Sequence, residues 1–217
     1  MKSLHMKRIV ILLMAAFAYI YFAIGIASQE TLPFDELVAD RVKNVLGGPI
    51  LDVFTILGST KGFAIIGVIV ILWLGFKRKD YRAIGVFVLA LLTGYLANSF
   101  LKEWHNRPRP AAERLVEVDT LSFPSGNAMI GLLLYSLTAY FLIRNLHSAK
   151  RKFAIGLGAF VIIFLYGASR IALNVHYPSD IVAGFAMGLI WMISWIYVYE
   201  AVLSKSLNKT NKSSLPL

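Results

Sequence analysis

"AIGVFVLALLTGYLANSFLKEWHNRPRP", residues 83–110, opens with a run from Ala83 to Leu101 that carries no charge and closes on three cations and two prolines. About 20 mostly apolar residues suffice to cross a bilayer as a helix. The run therefore predicts a membrane span that meets water at Lys102. Working outward, comparable runs lie at residues 9–27, Ile50–Phe76, Ala128–Ile143, Phe153–Ala168 and Ile181–Val202. The prediction is an all-α integral membrane protein with six transmembrane helices. The chain is 58% hydrophobic with a mean hydropathy of +0.67, against roughly 45–50% apolar for soluble domains. Residues 1–203 are read as one six-helix domain and 204–217 as a polar, disordered cytoplasmic tail.

The first run has a competing reading as a cleaved signal peptide, with Gly25-Ile26-Ala27 as the small-residue site. Its apolar length exceeds the roughly 7–15 residues of a signal core, so it is read as a retained span. Between it and the second span, Phe34, Leu37, Val38, Val42 and Val45 recur at helical spacing among charged residues. That pattern predicts a short amphipathic helix on the membrane surface, ended by Gly47-Gly48-Pro49. The second span has a clean apolar core only from Gly62 to Phe76. Its upper part, with Asp52 and Lys61, is expected to pack on protein rather than lipid.

The net charge of +10 does not indicate nucleic acid as a partner, because the basic residues fall between the apolar runs rather than on one soluble face. With the N-terminus inside, 14 of the 22 Lys and Arg residues lie on the cytoplasmic side, as the positive-inside rule requires. Both termini are then cytoplasmic. The segments 102–123 and 169–180 face outward together. There is no cysteine for disulfides or thiolate metal sites, and His105, His147 and His176 lack metal-ligand spacing. No metal, cofactor or obligatory protein partner is expected.

Three outward segments carry the chemistry. Lys102, Arg107 and Arg109 form a cationic cluster held extended by Pro108 and Pro110. Ser125 and Gly126 open the fourth span, and a helix N-terminus offers N–H groups to an anion. Alone, the first reads more readily as headgroup anchoring, and the second as a plain N-cap. In "SRIALNVHYPSD", residues 169–180, Pro178 predicts a helix start with His176 just outside it. Asp180 can then fix one imidazole nitrogen and leave the other free to attack. Arg170 is a planar fork suited to phosphate oxygens. Together these groups suit phosphoryl transfer by a histidine nucleophile.

These residues resemble the three signatures of the type 2 phosphatidic acid phosphatase family, the membrane lipid phosphatases related to vanadium haloperoxidases. The signatures are Lys-x6-Arg-Pro, Pro-Ser-Gly-His and Ser-Arg-x5-His-x3-Asp. Here they read Lys102 to Arg109-Pro110, Pro124-Ser125-Gly126-Asn127, and Ser169-Arg170 to His176 and Asp180. The resemblance implies that Lys102, Arg109, Ser125, Gly126 and Arg170 hold the phosphate of a lipid substrate, without metal. It implies His176 as nucleophile and Asp180 as its orienter, in a bacterial enzyme acting on phosphatidylglycerophosphate, undecaprenyl pyrophosphate or phosphatidic acid. Asn127 departs from the pattern: the family has histidine there as general acid, and an amide cannot deliver a proton at neutral pH. The sequence thus leaves two further readings beside a working phosphatase. One is a weakened or silent relative that binds phosphorylated lipids. The other, a transporter, lacks broken helices with polar groups at the midplane.

Overall fold

Pro33, Pro49 and Pro178 each stand at the start of a helix, where the missing N–H removes no intrahelical bond. The computed structural model describes residues 2–28, 31–111 and 120–213. Among these the chain is helical and forms no strand. The helices are α1 (Lys2–Ser28), α2 (Pro33–Val45), α3 (Pro49–Leu57), α4 (Thr60–Leu72), α5 (Tyr81–His105), α6 (Gly126–Ile143), α7 (Ala149–Ala172) and α8 (Pro178–Ser213). A π-helical turn, Trp73–Lys77, extends α4. Six of them, α1 and α4 through α8, are long and apolar enough to cross a membrane. The six-span expectation holds.

The expected second span, Ile50–Phe76, is broken. The chain bends at Gly58-Ser59, separating α3 from α4. Tyr166 of α7 causes the close approach: a Cβ on Gly58 would stand 1.4 Å from its ring, and its hydroxyl donates to the Gly58 carbonyl at 2.8 Å. Ser59 restarts the helix by accepting from the Gly62 N–H at 3.0 Å. The tail also differs from expectation, because α8 continues helically to Ser213; residues 214–217 lie outside the described residues.

The core lies between α4, α5, α6 and α8, where Leu74, Phe87, Leu133, Leu137, Phe141 and Tyr199 pack together. Helices α6 and α8 meet where a Cβ on Gly184 would come within 2.6 Å of the Ser125 carbonyl. Small residues permit such backbone proximity in membrane bundles, and here it brings the starts of α6 and α8 side by side. At the opposite end of the bundle, Arg8 donates both Nη groups to Glu200 at 2.7 Å, tying α1 to α8. There Arg144 and the Tyr199 hydroxyl donate to Asp80 at 3.0 and 2.7 Å.

Helix α2 realises the predicted amphipathic helix with a different buried face. Leu37 and Val45 are exposed, whereas Ala39 and Val42 pack on Ala128, Ile171 and Ile181. Asp35 shares that inward face and is 1% exposed. A carboxylate there requires a partner beneath it, which the site supplies.

Candidate active site

Helix α5 ends on Asn106, whose left-handed backbone (φ 47°) lets its N–H cap the Lys102 carbonyl at 2.9 Å. The chain then turns back over the bundle. Residues 112–119 lie outside the described residues. From Thr120 the chain returns alongside, with the Ser122 N–H on the Arg107 carbonyl at 2.9 Å. This return places Arg107 and Arg109 inside the protein, at 3% and 8% exposure. The surface cluster expected from the sequence is therefore only partly a surface feature. Burial of two guanidinium groups requires strong acceptors.

Arg107 takes carboxylates. It donates to Asp35 Oδ2 at 2.8 Å and to Asp180 Oδ1 at 2.6 Å, and to Ser179 Oγ at 2.8 Å. Among the described residues, Arg109 reaches neutral oxygens. It donates to the Thr120 and Val175 carbonyls and to Thr120 Oγ1 at 2.9 Å. Lys102 donates to the same Thr120 hydroxyl at 3.3 Å and to the Leu121 carbonyl. A phosphate oxygen would offer these two cations a full negative charge in place of neutral oxygens.

His176 lies between the two sets. Its Nδ1 is 3.3 Å from Asp180 Oδ2, and its Nε2 is 3.3 Å from Arg109 Nη1. Asp180, in the first turn of α8, also accepts from the Tyr177 N–H at 2.9 Å and from the Ser122 hydroxyl. The carboxylate assigns the imidazole proton to Nδ1, so the Nε2 lone pair faces Arg109. Burial, reinforced by Arg109 and Lys102 against the pull of Asp180, pushes the His176 pKa down to about 4. At pH 7 the ring is a neutral base.

The second motif is built into the same end. Ser125 caps α6, accepting from the Ala128 N–H at 3.3 Å, while its own N–H donates to the Asp180 carbonyl at 3.0 Å. Gly126 has no room for a side chain, because a Cβ would stand 2.6 Å from Asn98 Oδ1. Asn98 in turn donates to the Pro124 carbonyl at 3.2 Å. Asn127 follows, half-buried in the first turn of α6.

Arg170 stands apart from the other cations. Its guanidinium stacks on the Tyr166 ring at 4.9 Å and donates at 3.4 Å to the Phe54 carbonyl of α3. Its Nε is buried without a hydrogen-bond partner among the described residues.

Lys102, Arg109, Ser125, His176 and Asp180 are thus brought together at one end of the bundle. Residues 83–203, more than half of the chain, match the PAP2 superfamily. The chain belongs to that superfamily. Over 116 residues, 53% of this chain, the PAP2 protein is 39% identical to phosphatidylglycerophosphatase B of Bacillus subtilis strain 168. The match spans 57% of that relative's length. Its fold is similar to the crystal structure of a transmembrane PAP2 type phosphatidylglycerolphosphate phosphatase from Bacillus subtilis. The TM-score is 0.76 at 28% identity, covering 89% of this chain and 96% of that one. LpxE of Aquifex aeolicus matches with a TM-score of 0.62 at 25% identity, over 78% of this chain and 98% of its own.

Sequence reasoning missed the partners beneath Asp180. In the sequence Arg107 reads as one of the surface cations, and Ser122, Ser179 and Asp35 match no motif residue. Asp35 did leave one signal: it stands three residues before Val38 and seven before Val42, on an otherwise apolar face.

Next to His176 lies a cavity of about 300 Å³, lined by Asp35, Glu36, Asp40 and Lys43 of α2, with Asn174 and Tyr177 opposite. An apolar cavity of about 360 Å³ opens between α1 and the start of α2, lined by Tyr21, Phe22, Ile24, Leu32 and Phe34.

Proposed function

We propose that the protein is a membrane lipid phosphatase. It hydrolyses a phosphate monoester or pyrophosphate of a lipid, such as phosphatidylglycerophosphate, undecaprenyl pyrophosphate or phosphatidic acid. The observation that carries this reading is His176, oriented by Asp180 on one nitrogen and facing Arg109 with the other. The similarity to phosphatidylglycerophosphatase B supports the substrate class.

In the proposed reaction Lys102 and Arg109, with the N-terminus of α6 at Ser125 and Gly126, hold the phosphate oxygens. Arg170 joins them by leaving the α3 carbonyls, which hold it through long bonds of 3.4 and 3.5 Å. His176 Nε2 attacks phosphorus, the N–P bond forms, and the bond from phosphorus to the lipid oxygen breaks. That oxygen takes a proton from water, since Asn127 has none to give. A second water then attacks phosphorus, releasing inorganic phosphate and regenerating the imidazole. The charges that stabilise the transferring group come from this chain's own cations, and the reading requires no metal.

Phosphate release from a panel of purified lipid monophosphates and pyrophosphates, in detergent without added metal, tests the proposal. Turnover of at least one is expected; none would leave only the reading of Asn127 as the mark of a silent lipid-phosphate binder. Arg109→Lys keeps the charge and loses the fork. It is expected to lower kcat/KM at least about tenfold, or roughly 1.4 kcal/mol; near-normal activity would reassign Arg109 to a structural role.

The basic-residue asymmetry supports placing both termini in the cytoplasm and the site at the outer face of the cell membrane. Single cysteines at Glu113 and Ser148 test this in a chain with none of its own. A membrane-impermeant thiol reagent on intact cells should label position 113 and spare 148. The reverse pattern would put the site on the cytoplasmic side.

A further inference from the structure

Beyond the three motifs, α2 carries a further buried charged group at the site. This helix lies outside the stretch that matches the superfamily, yet it places a buried carboxylate one residue away from the catalytic pair. Asp35 accepts from Arg107 at 2.8 Å. It also takes the start of α8 directly: Oδ1 accepts from the Ser179 N–H at 2.7 Å, and Oδ2 from the Ser179 hydroxyl at 2.9 Å. Ser179 adjoins Asp180, and Arg107 donates to Asp180 at 2.6 Å. Two separate paths, one through a guanidinium and one through the first turn of α8, therefore run from Asp35 to the carboxylate that orients His176. Every member of both is nearly inaccessible, with Asp35, Arg107, Ser179 and Asp180 at 1%, 3%, 0% and 0% exposure.

We propose that Asp35 is a positioning residue for the His176–Asp180 pair, acting through Arg107 and Ser179, and that α2 is an integral part of the catalytic apparatus. The proposal rests on the phosphatase reading above. The physical argument is geometric. Arg107 can bridge two carboxylates only if both are fixed, since its planar fork sets the directions of its N–H groups. Asp35 fixes one side of that fork, and the other side then fixes Asp180 Oδ1. Asp180 Oδ2 is left for Ser122, the Tyr177 N–H and the His176 ring. An anion at the first turn of α8 is further favoured by the N–H groups there that have no intrahelical acceptor. Asp35 touches no reacting atom and carries no proton in the reaction. It determines where Asp180 points and how much positive charge remains beside it.

Removing the charge without changing the shape separates this role from simple support. The charged groups around His176 are Asp180 of α8, Arg107 and Arg109 of the connecting segment, and Lys102 of α5. Asp35, Glu36, Asp40 and Lys43 of α2 line the cavity beside His176, whereas the Arg170 guanidinium of α7 is turned to α3. Asp35→Asn makes this set more positive by one charge, which disfavours the imidazolium. The sign follows directly: the acidic limb of the kcat/KM profile, where His176 protonates, should move to lower pH. Loss of alignment should lower kcat by about tenfold, less than the cost of losing a direct orienter, while KM changes by less than about threefold. Comparing variant with wild type on one substrate cancels the ionisation of the lipid phosphate itself.

The experiment measures kcat, KM and the pH profile of the full chain and of Asp35→Asn in detergent, on whichever lipid phosphate the wild type turns over. The expected result is a fall in kcat with KM nearly constant and the acid limb displaced downward. Wild-type kcat in the variant would overturn the proposal, and so would a fall in kcat with the limb unmoved, which is what general loosening produces. If Asp35→Asn does not fold, Ser179→Ala decides instead. It removes the hydroxyl between Asp35 and Arg107, leaves every charge in place, and should lower kcat about threefold; an unchanged kcat would overturn the proposal. A wild-type chain inactive on every lipid phosphate would defeat the phosphatase reading and this proposal with it. An active wild type beside an unaffected variant would defeat this proposal alone.

Discussion

Replacing His176 with alanine is expected to lower lipid-phosphate turnover by at least about 10⁴-fold, because loss of the attacking group removes the covalent route altogether. The fall should appear in kcat, with substrate binding retained by Lys102 and Arg109, which contact the 120–121 segment independently of the imidazole. Wild-type protein, incubated with substrate labelled in its phosphate and quenched in alkaline detergent, should carry label in a base-stable, acid-labile linkage, as a phosphohistidine does. His176→Ala should carry none. An active alanine variant would show that water attacks phosphorus directly. A wild type that binds the lipid but never labels would establish the silent-binder alternative. The buried setting of His176, 3% exposed with Nδ1 on Asp180, favours the labelled outcome, because the ring is held neutral at pH 7.

Asn127→His is expected to act in the opposite direction. A positioned general acid contributes about 10²–10⁴-fold when the departing oxygen carries much negative charge. The parent chain lacks such a group at the start of α6, where Asn127 follows Gly126. The histidine form should therefore hydrolyse a lipid monophosphate faster by a factor in that range. A lipid pyrophosphate, whose leaving group is already a stabilised anion, should gain much less. Asn127→Ala should match the parent on the pyrophosphate. Initial rates of the three forms on both substrates check the pattern. Equal parent and histidine rates on the monophosphate would show that this position does not serve the leaving group.

The six spans were legible because their signal is local. Each is a run of apolar residues near the thickness of a bilayer, and water excludes it whatever its neighbours do. The motifs were legible for a related reason. His176 and Asp180 are four residues apart across the start of a helix that Pro178 announces, so their meeting needs no distant partner. The break at Gly58 was not legible, because Tyr166, more than a hundred residues away, causes it.

The same distinction separates three arginines. Sequence placed Arg107, Arg109 and Arg170 on one side of the membrane as a set of cations, and helix ends decided that much. Which of them takes a carboxylate, which faces His176 and which rests on α3 is decided only in the tertiary structure. Asp35 arrives from α2 and Asp180 from α8, 145 residues later, and their two charges claim Arg107. Among the described residues, Arg109 donates to the Thr120 carbonyl and faces His176. Burial drives this sorting, because a guanidinium withdrawn from water must find its acceptors wherever the packed helices supply them.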